Sequence, residues 1–351
     1  MTTRVDVVVV GAGAMGAAAA WWLARQGRDV VVLERFEQGH VRGSSHGSSR
    51  IFRLAYPLPR YVRMAQLALP LWRELEADTG ATLLETTGGV DHGDPAGVQA
   101  VAAALEQQGA AFELLPADAA AERWPAMRFE GDVLHQPDAG RCRADDTVQA
   151  LQDRVVGLGG AVHFDEAVER VLQVHDDVAV ETATAEYRAR VCIVAAGAWI
   201  GKVAGGLVAL PPLTITREQV FHFPARPEPR QDWPSFIHHR DPFVYGLESP
   251  GEGVKVAEHH TGAVVDPDRR GFDVDPAGAA RVAAYVRQWF PGLLPEATGA
   301  TTCLYTTTPT QDFLVERHGP VVVVSACSGH GFKFVPLIGR MAADLAAVPV
   351  G

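Results

Sequence analysis

Gly11, Gly13 and Gly16 stand in the spacing G-x-G-x-x-G directly after four consecutive valines, Val7 to Val10. Each glycine has its own mechanical reason. Gly11 allows a tight turn, Gly13 lets backbone approach a pyrophosphate, and Gly16 lets a following helix pack closely on the strand before it. Glu34 lies 23 positions after Gly11, where a carboxylate can accept hydrogen bonds from a ribose diol and would repel a 2′-phosphate. This is the chemistry of holding a dinucleotide, with the pyrophosphate at a helix N-terminus. The motif alone does not separate NAD from FAD. The next segment does: in place of a further βαβ unit comes the hydroxyl-rich loop Gly43-Ser44-Ser45-His46-Gly47-Ser48-Ser49-Arg50, which can line a long ribityl-phosphate arm. The apolar stretch after it, from Ile51 to Tyr56, predicts that the loop turns inward.

The remaining reactive residues are dispersed. Four cysteines (Cys142, Cys192, Cys303, Cys327) show no CxxC spacing, so neither a disulfide framework nor a zinc site is expected. The pairs His238-His239 and His259-His260 are read as strand neighbours whose side chains point to opposite faces, and no metal is expected.

Elements must bring these residues together. Residues 5–10 and 30–33 read as short strands buried on both faces, joined by a helix over 17–25 that Gly27 ends. Further helices are predicted over 61–77, kinked at Pro70, and over 98–108, 117–123 and 147–157. Alternation over 168–180 predicts antiparallel strands. Two more apolar strands, 191–195 and 320–326, run into Ala196-Gly197-Ala198-Trp199 and into Ser328-Gly329-His330-Gly331-Phe332-Lys333-Phe334, with a closing helix through Leu345. Residues 213–305 alternate, are broken by Pro and Gly, and contain one helix at 276–289. The expected fold is α/β, with a Rossmann-like FAD-binding domain built from the discontinuous segments 1–80, 141–212 and 318–351. A β-rich α+β substrate domain, 81–140 and 213–317, is inserted into it.

Composition sets the outer limits. A 351-residue chain that is 47% hydrophobic and 21% charged is neither disordered nor collagen-like. Its formal charge of −11 repels phosphate backbones and anionic lipid, so no nucleic-acid or membrane partner is expected. No apolar run approaches the roughly 18 residues of a membrane span, and the amino terminus lacks a basic region and cleavage site. The expected location is the cytoplasm.

The stretches 9–16, 43–56, 197–199, 253–259, 302–307 and 328–334 together resemble the monomeric sarcosine oxidase and N-methyltryptophan oxidase group of the D-amino-acid-oxidase-like flavoproteins, over nearly the whole chain. The resemblance implies FAD held covalently, through a thioether from Cys303 of Cys303-Leu304-Tyr305 to the flavin 8α-methyl carbon. Arg50 matches the cation that promotes that bond, and Cys327 is the competing thiol. Arg53 and Lys333 match the pair that grips a substrate carboxylate, each charge-assisted bond being worth roughly 1.5 to 3 kcal/mol. Lys255 matches the lysine that activates oxygen, an electrostatic role. Tyr245 and Tyr305 match cavity tyrosines, His259 and His330 match active-site histidines, and Ile237 and His238 fall near the substrate side chain. Lys255, Arg50, His259 and Tyr305 are therefore the expected catalytic set. The cofactor contacts add Ala14, Met15, Arg35, Ser44, Ser45, Ser49, Gly197, Trp199, Gly329 and Gly331 to the glycine motif, Glu34, Arg50, Cys303, His330 and Lys333.

The implied activity is oxidation of a secondary amino acid such as sarcosine to an imine, which hydrolyses to aldehyde and amine while O2 becomes hydrogen peroxide, by a monomer. Proline, pipecolate or N-methyltryptophan as substrate, a dehydrogenase that does not use O2, and a non-catalytic flavin-binding subunit are the alternatives. Two departures from the family stand out. The chain stops at Gly351 where the family continues with a tail, and Ala257-Glu258 precedes His259 where a small residue and an aromatic are usual. Glu258 is expected at the cavity rim or outside it.

Overall fold

The computed structural model describes residues 2–228 and 232–347; the last four positions of the 318–351 segment lie outside them. The valine run sits where its composition demands, inside an eight-stranded sheet. Thr2–Val10 pairs in parallel with Val30–Leu33 on one side and Glu186–Val194 on the other, and Val7 to Val10 are all buried. Full burial of one such side chain contributes about 1.5–3 kcal/mol. Glu186–Val194 forks: its first half pairs antiparallel with Asp177–Thr182, its second half parallel with Val321–Ser325.

The fork has a functional consequence. Three parallel strands from separated parts of the chain end side by side, and each runs into a turn whose glycine has positive φ: Gly11 (101°), Gly197 (52°) and Gly329 (76°). The carboxyl edge of a parallel sheet is where such folds bind ligands. Behind it, the helix Ala14–Arg25 packs Ala17 to Trp21 inward. Val335–Ala347 lies against that helix so closely that a Cβ on Gly339 would meet Ala18 Cβ at 2.6 Å.

A nine-stranded sheet forms the second layer. Ser235–His239, Val244–Ser249 and Gly253–Glu258 make an antiparallel meander. Thr214–Phe223 pairs with both Gly253–Glu258 and Gly299–Thr307. On the far side Ser235–His239 pairs in parallel with Gly89–Gly93. The helix Pro276–Trp289, capped by the Asp275 carboxylate, covers the outer face with Val282, Tyr285 and Val286 against Phe221, Phe223 and Phe236. A small sheet of Arg50–Phe52, Leu84–Thr86 and Gly140–Cys142 lies apart from both.

Several boundaries differ from expectation. Leu314–His318 joins the eight-stranded sheet, four residues before the boundary expected at 318. Helices expected from 17, 98 and 147 start at Ala14, Pro95 and Ala144, because first turns carry glycine, proline or acids that break the apolar period. Pro59–Thr79 is one helix across Pro70. No helix among the described residues is long and apolar enough to cross a membrane.

Candidate active site

The glycine turns and the inner face of the nine-stranded sheet enclose a cavity of about 900 Å³, near the top of the roughly 300–1,000 Å³ range of small-molecule sites. Every site residue expected from sequence lines it except Gly16 and His238. Gly16 lies behind: a Cβ there would sit 1.9 Å from Gly11 O, so its smallness serves helix–strand packing.

The nucleotide end is preorganised. Glu34 is buried and accepts the N–H groups of Ala12 (2.8 Å) and Phe36 (3.2 Å). Burial opposes its ionisation, but His40 and those two amides outweigh burial and hold the carboxyl below its ordinary range. Ser45 Oγ accepts the Ala14 N–H at 3.1 Å, and Gln152 Nε2 donates to Ala12 O at 2.8 Å. A Cβ on Gly13 would meet Ser45 Oγ at 3.0 Å, so the glycine keeps this cradle open. Gly13 at the N-cap has no side chain to cap the helix, so beyond the Ser45 bond to Ala14 the N-terminal dipole is left for an anion. Turn, acid, helix end and cavity size together fit FAD. Arg35 donates to Asp268 Oδ1 (2.7 Å), which also receives Trp199 Nε1 (2.7 Å), while Lys202 bonds the other Asp268 oxygen and Asp266. These contacts tie the entrance to the second lobe.

Cations dominate the other end. Arg50 donates to the carbonyls of Ser44, His46 and Ser49, so the hydroxyl-rich loop folds around its guanidinium. Lys255, only 4% exposed, donates to Ser49 O (2.8 Å) and Ser49 Oγ (3.1 Å), and Ser49 Oγ shares a 2.6 Å bond with Ser249 Oγ. Burial, then Arg50, pushes the Lys255 ammonium down to about 7. The Cys303 thiol is raised by burial, while Arg50 and Lys255 pull it back. A thiolate there depends on those cations.

Arg53 and Lys333 converge on one ring: the guanidinium lies 4.6 Å and the ammonium 5.3 Å from the Tyr56 centroid. Lys333 donates to Tyr56 OH and His330 O, each at 2.8 Å; burial, then Arg53, pushes it well below its ordinary value. Opposite, Tyr305 OH bonds His259 Nδ1 (3.3 Å) and Tyr245 OH (3.4 Å). Burial keeps His259 neutral, far below the usual histidine range. His330 bonds Tyr56 OH and Gln311 O, and burial brings it to about 3.

Some expectations change. His238 turns away from the cavity, to Tyr285 OH (3.0 Å) and Glu130 (2.9 Å), because it alternates with Ile237, which faces in. Glu258 lies outside the cavity, within the placement expected for it, paired with Arg281. His259 and His260 are not on opposite faces: His260 follows the strand end with φ of 57°, and the rings lie 4.1 Å apart. No group of three metal-ligating side chains occurs among the described residues. Asp91, Ser249, Gln152 and Asp268 were not visible as site residues in the sequence. They act across 38 or more positions through single side chains.

The family model described as FAD dependent oxidoreductase matches residues 6–345. A monomeric sarcosine oxidase from Streptomyces avermitilis is 34% identical, covering 100% of this chain and 97% of its own. One from Bacillus sp. (strain NS-129) is 32% identical, covering 99% and 94%. Among solved structures, the open form of NikD, an unusual amino acid oxidase essential for nikkomycin biosynthesis, superimposes with a TM-score of 0.89 at 28% identity, covering 98% of this chain and 94% of that one.

Proposed function

From the premise that the chain belongs to the FAD-dependent oxidoreductase family, we propose that it oxidises a small N-methyl amino acid such as sarcosine to an imine, with O2 as the electron acceptor and hydrogen peroxide as product. The observation that carries this reading is the pairing of Arg53 and Lys333 around Tyr56 in the same cavity as the nucleotide turn. Two cations converging in an apolar pocket select a carboxylate, and the substrate amine then lies toward the Tyr245, Tyr305 and His259 wall.

FAD, when bound, supplies two-electron oxidation of the carbon next to the amine. Glu34 would hold its ribose, the Gly11–Gly13 turn its pyrophosphate, and Cys303 its ring through a thioether, with Arg50 favouring the thiolate. Neutral His259, bonded to Tyr305 OH, fixes the direction of that hydroxyl toward the substrate amine. Ile237 and Phe243 limit the space beyond the amine and exclude water. Lys255 offers a positive charge where oxygen is reduced. Relatives named monomeric sarcosine oxidase support the substrate and a single-chain enzyme.

Anaerobic mixing of the yellow holoenzyme with sarcosine should bleach the flavin, and air should restore colour with one peroxide per turnover. Absence of bleaching by sarcosine and by any N-methyl or cyclic amino acid would sink the proposal.

A further inference from the structure

Asp91 is 2% exposed, lies behind Arg53, and is used by no step above. Arg53 Nη1 donates to Asp91 Oδ1 at 3.3 Å and to Ala55 O. Neither Nε nor Nη2 of Arg53 bonds a described residue. The same Asp91 oxygen meets His239 Nε2 at 2.9 Å.

We propose that Asp91, held in turn by His239, is a positioning residue that anchors one nitrogen of the Arg53 guanidinium so that its Nε–Nη2 edge meets the substrate carboxylate. This rests on the carboxylate role of Arg53 proposed above.

A guanidinium presents its N–H groups in a rigid planar fork. Fixing Nη1 from behind therefore fixes the direction of the opposite edge, which is suited to two parallel bonds with a carboxylate. The Tyr56 ring, 4.6 Å from the guanidinium, limits rotation of that plane. Asp91 is itself held. In the parallel register Asp91 stands opposite Ile237 and His239 opposite Gly93, so the two side chains are diagonal neighbours on one face. His239 is clamped at the start of the helix Pro95–Gln107, where a Cβ on Gly97 would lie 2.8 Å from its Nδ1, and it meets Phe243 edge-on at 5.1 Å. The assembly also serves electrostatics. Among the described residues Lys333 bonds only neutral groups, whereas Arg53 is offset by the Asp91 carboxylate.

The test uses flavin-loaded holoenzyme titrated with methoxyacetate, which keeps the carboxylate and lacks the amine, followed by the change in flavin absorbance. Asp91→Leu should weaken binding about tenfold, with KM for sarcosine rising more than kcat falls. Asp91→Asn, which keeps an oxygen acceptor for Nη1, should stay within about threefold of the unmodified protein. Binding unchanged in Asp91→Leu would overturn the assignment. Should that variant not fold, His239→Leu is read in its place: weaker methoxyacetate binding supports the positioning chain, and unchanged binding refutes it. An unmodified holoenzyme blind to methoxyacetate would instead remove the carboxylate reading of Arg53, and this inference with it. A normal response there with unaltered variants would remove the Asp91 assignment alone.

Discussion

Lys255 forms no ion pair among the described residues and is buried; its position is fixed by Ser49 alone. Such an ammonium is costly unless the site uses its charge. Lys255→Met should slow reoxidation of the reduced flavin by O2 about 10²- to 10³-fold, the usual effect of deleting one preorganised charge-stabilising group. Anaerobic reduction by substrate should change far less, and stopped-flow absorbance separates the two half-reactions. Equal slowing of both would assign Lys255 to folding or flavin binding. Cys303 gives a second residue-level test. After acid precipitation yellow colour should stay with the protein, and Cys303→Ser should release it to the supernatant. Colour retained in Cys303→Ser but lost in Cys327→Ser would move the anchor to the competing thiol. Both sites could be located in the sequence because each lies within a short stretch whose neighbours repeat a family pattern. Asp91 could not, because its meaning comes from a parallel pairing between strands more than 140 positions apart.

Elements explain the same contrast. The nucleotide turn is local: strand, glycines, helix and acid follow one another within 34 residues, so the sequence order already fixes the geometry. The edge on which three glycine turns align is not local, since it depends on the fork in Glu186–Val194. Strands 191–195 and 320–326 were legible as apolar runs, but their adjacency came from hydrogen-bond register. The segment around Asp268 illustrates a connection no pattern announces. It leaves the short strand Ala263–Val264 of the nine-stranded sheet and places one carboxylate against Arg35, Trp199 and Lys202 of the nucleotide lobe. The donors hold Asp268 well below the ordinary carboxylate range, Lys202 foremost. Asp268→Ala should free this strap, since all three donors lose their shared acceptor. The expected result is faster protease nicking in 263–275 and quicker loss of FAD from a Cys303→Ser background, where no covalent bond masks release. Unchanged nicking and retention would make the contact a surface pairing of the ordinary weak kind.

Across the whole molecule, the acidic exterior surrounds an interior that holds many histidines neutral. Burial lowers His46 to about 3, His222 to about 4 and His330 to about 3, and takes His92 and His259 well below their ordinary value. The direction of the consequence follows from linkage. An unfolded histidine binds a proton below about 6.5 while the folded one does not, so stability is intact above 6.5 and is lost as pH falls below it. For His46, His222 and His330 this withdraws about 2 kcal/mol each between pH 7 and pH 5, and His92 and His259 act in the same direction. His92 is the cleanest probe, since it lies on the sheet face away from the cavity, stacked 4.1 Å from His238 with Nδ1 unpartnered. His92→Leu changes packing equally at both pH values, so the difference between them isolates the proton. Urea unfolding should show the variant gaining stability relative to the unmodified protein on going from pH 7 to pH 5. A gain near zero would mean that His92 takes up its proton without unfolding, and that the His92–His238 stack opens before the fold does.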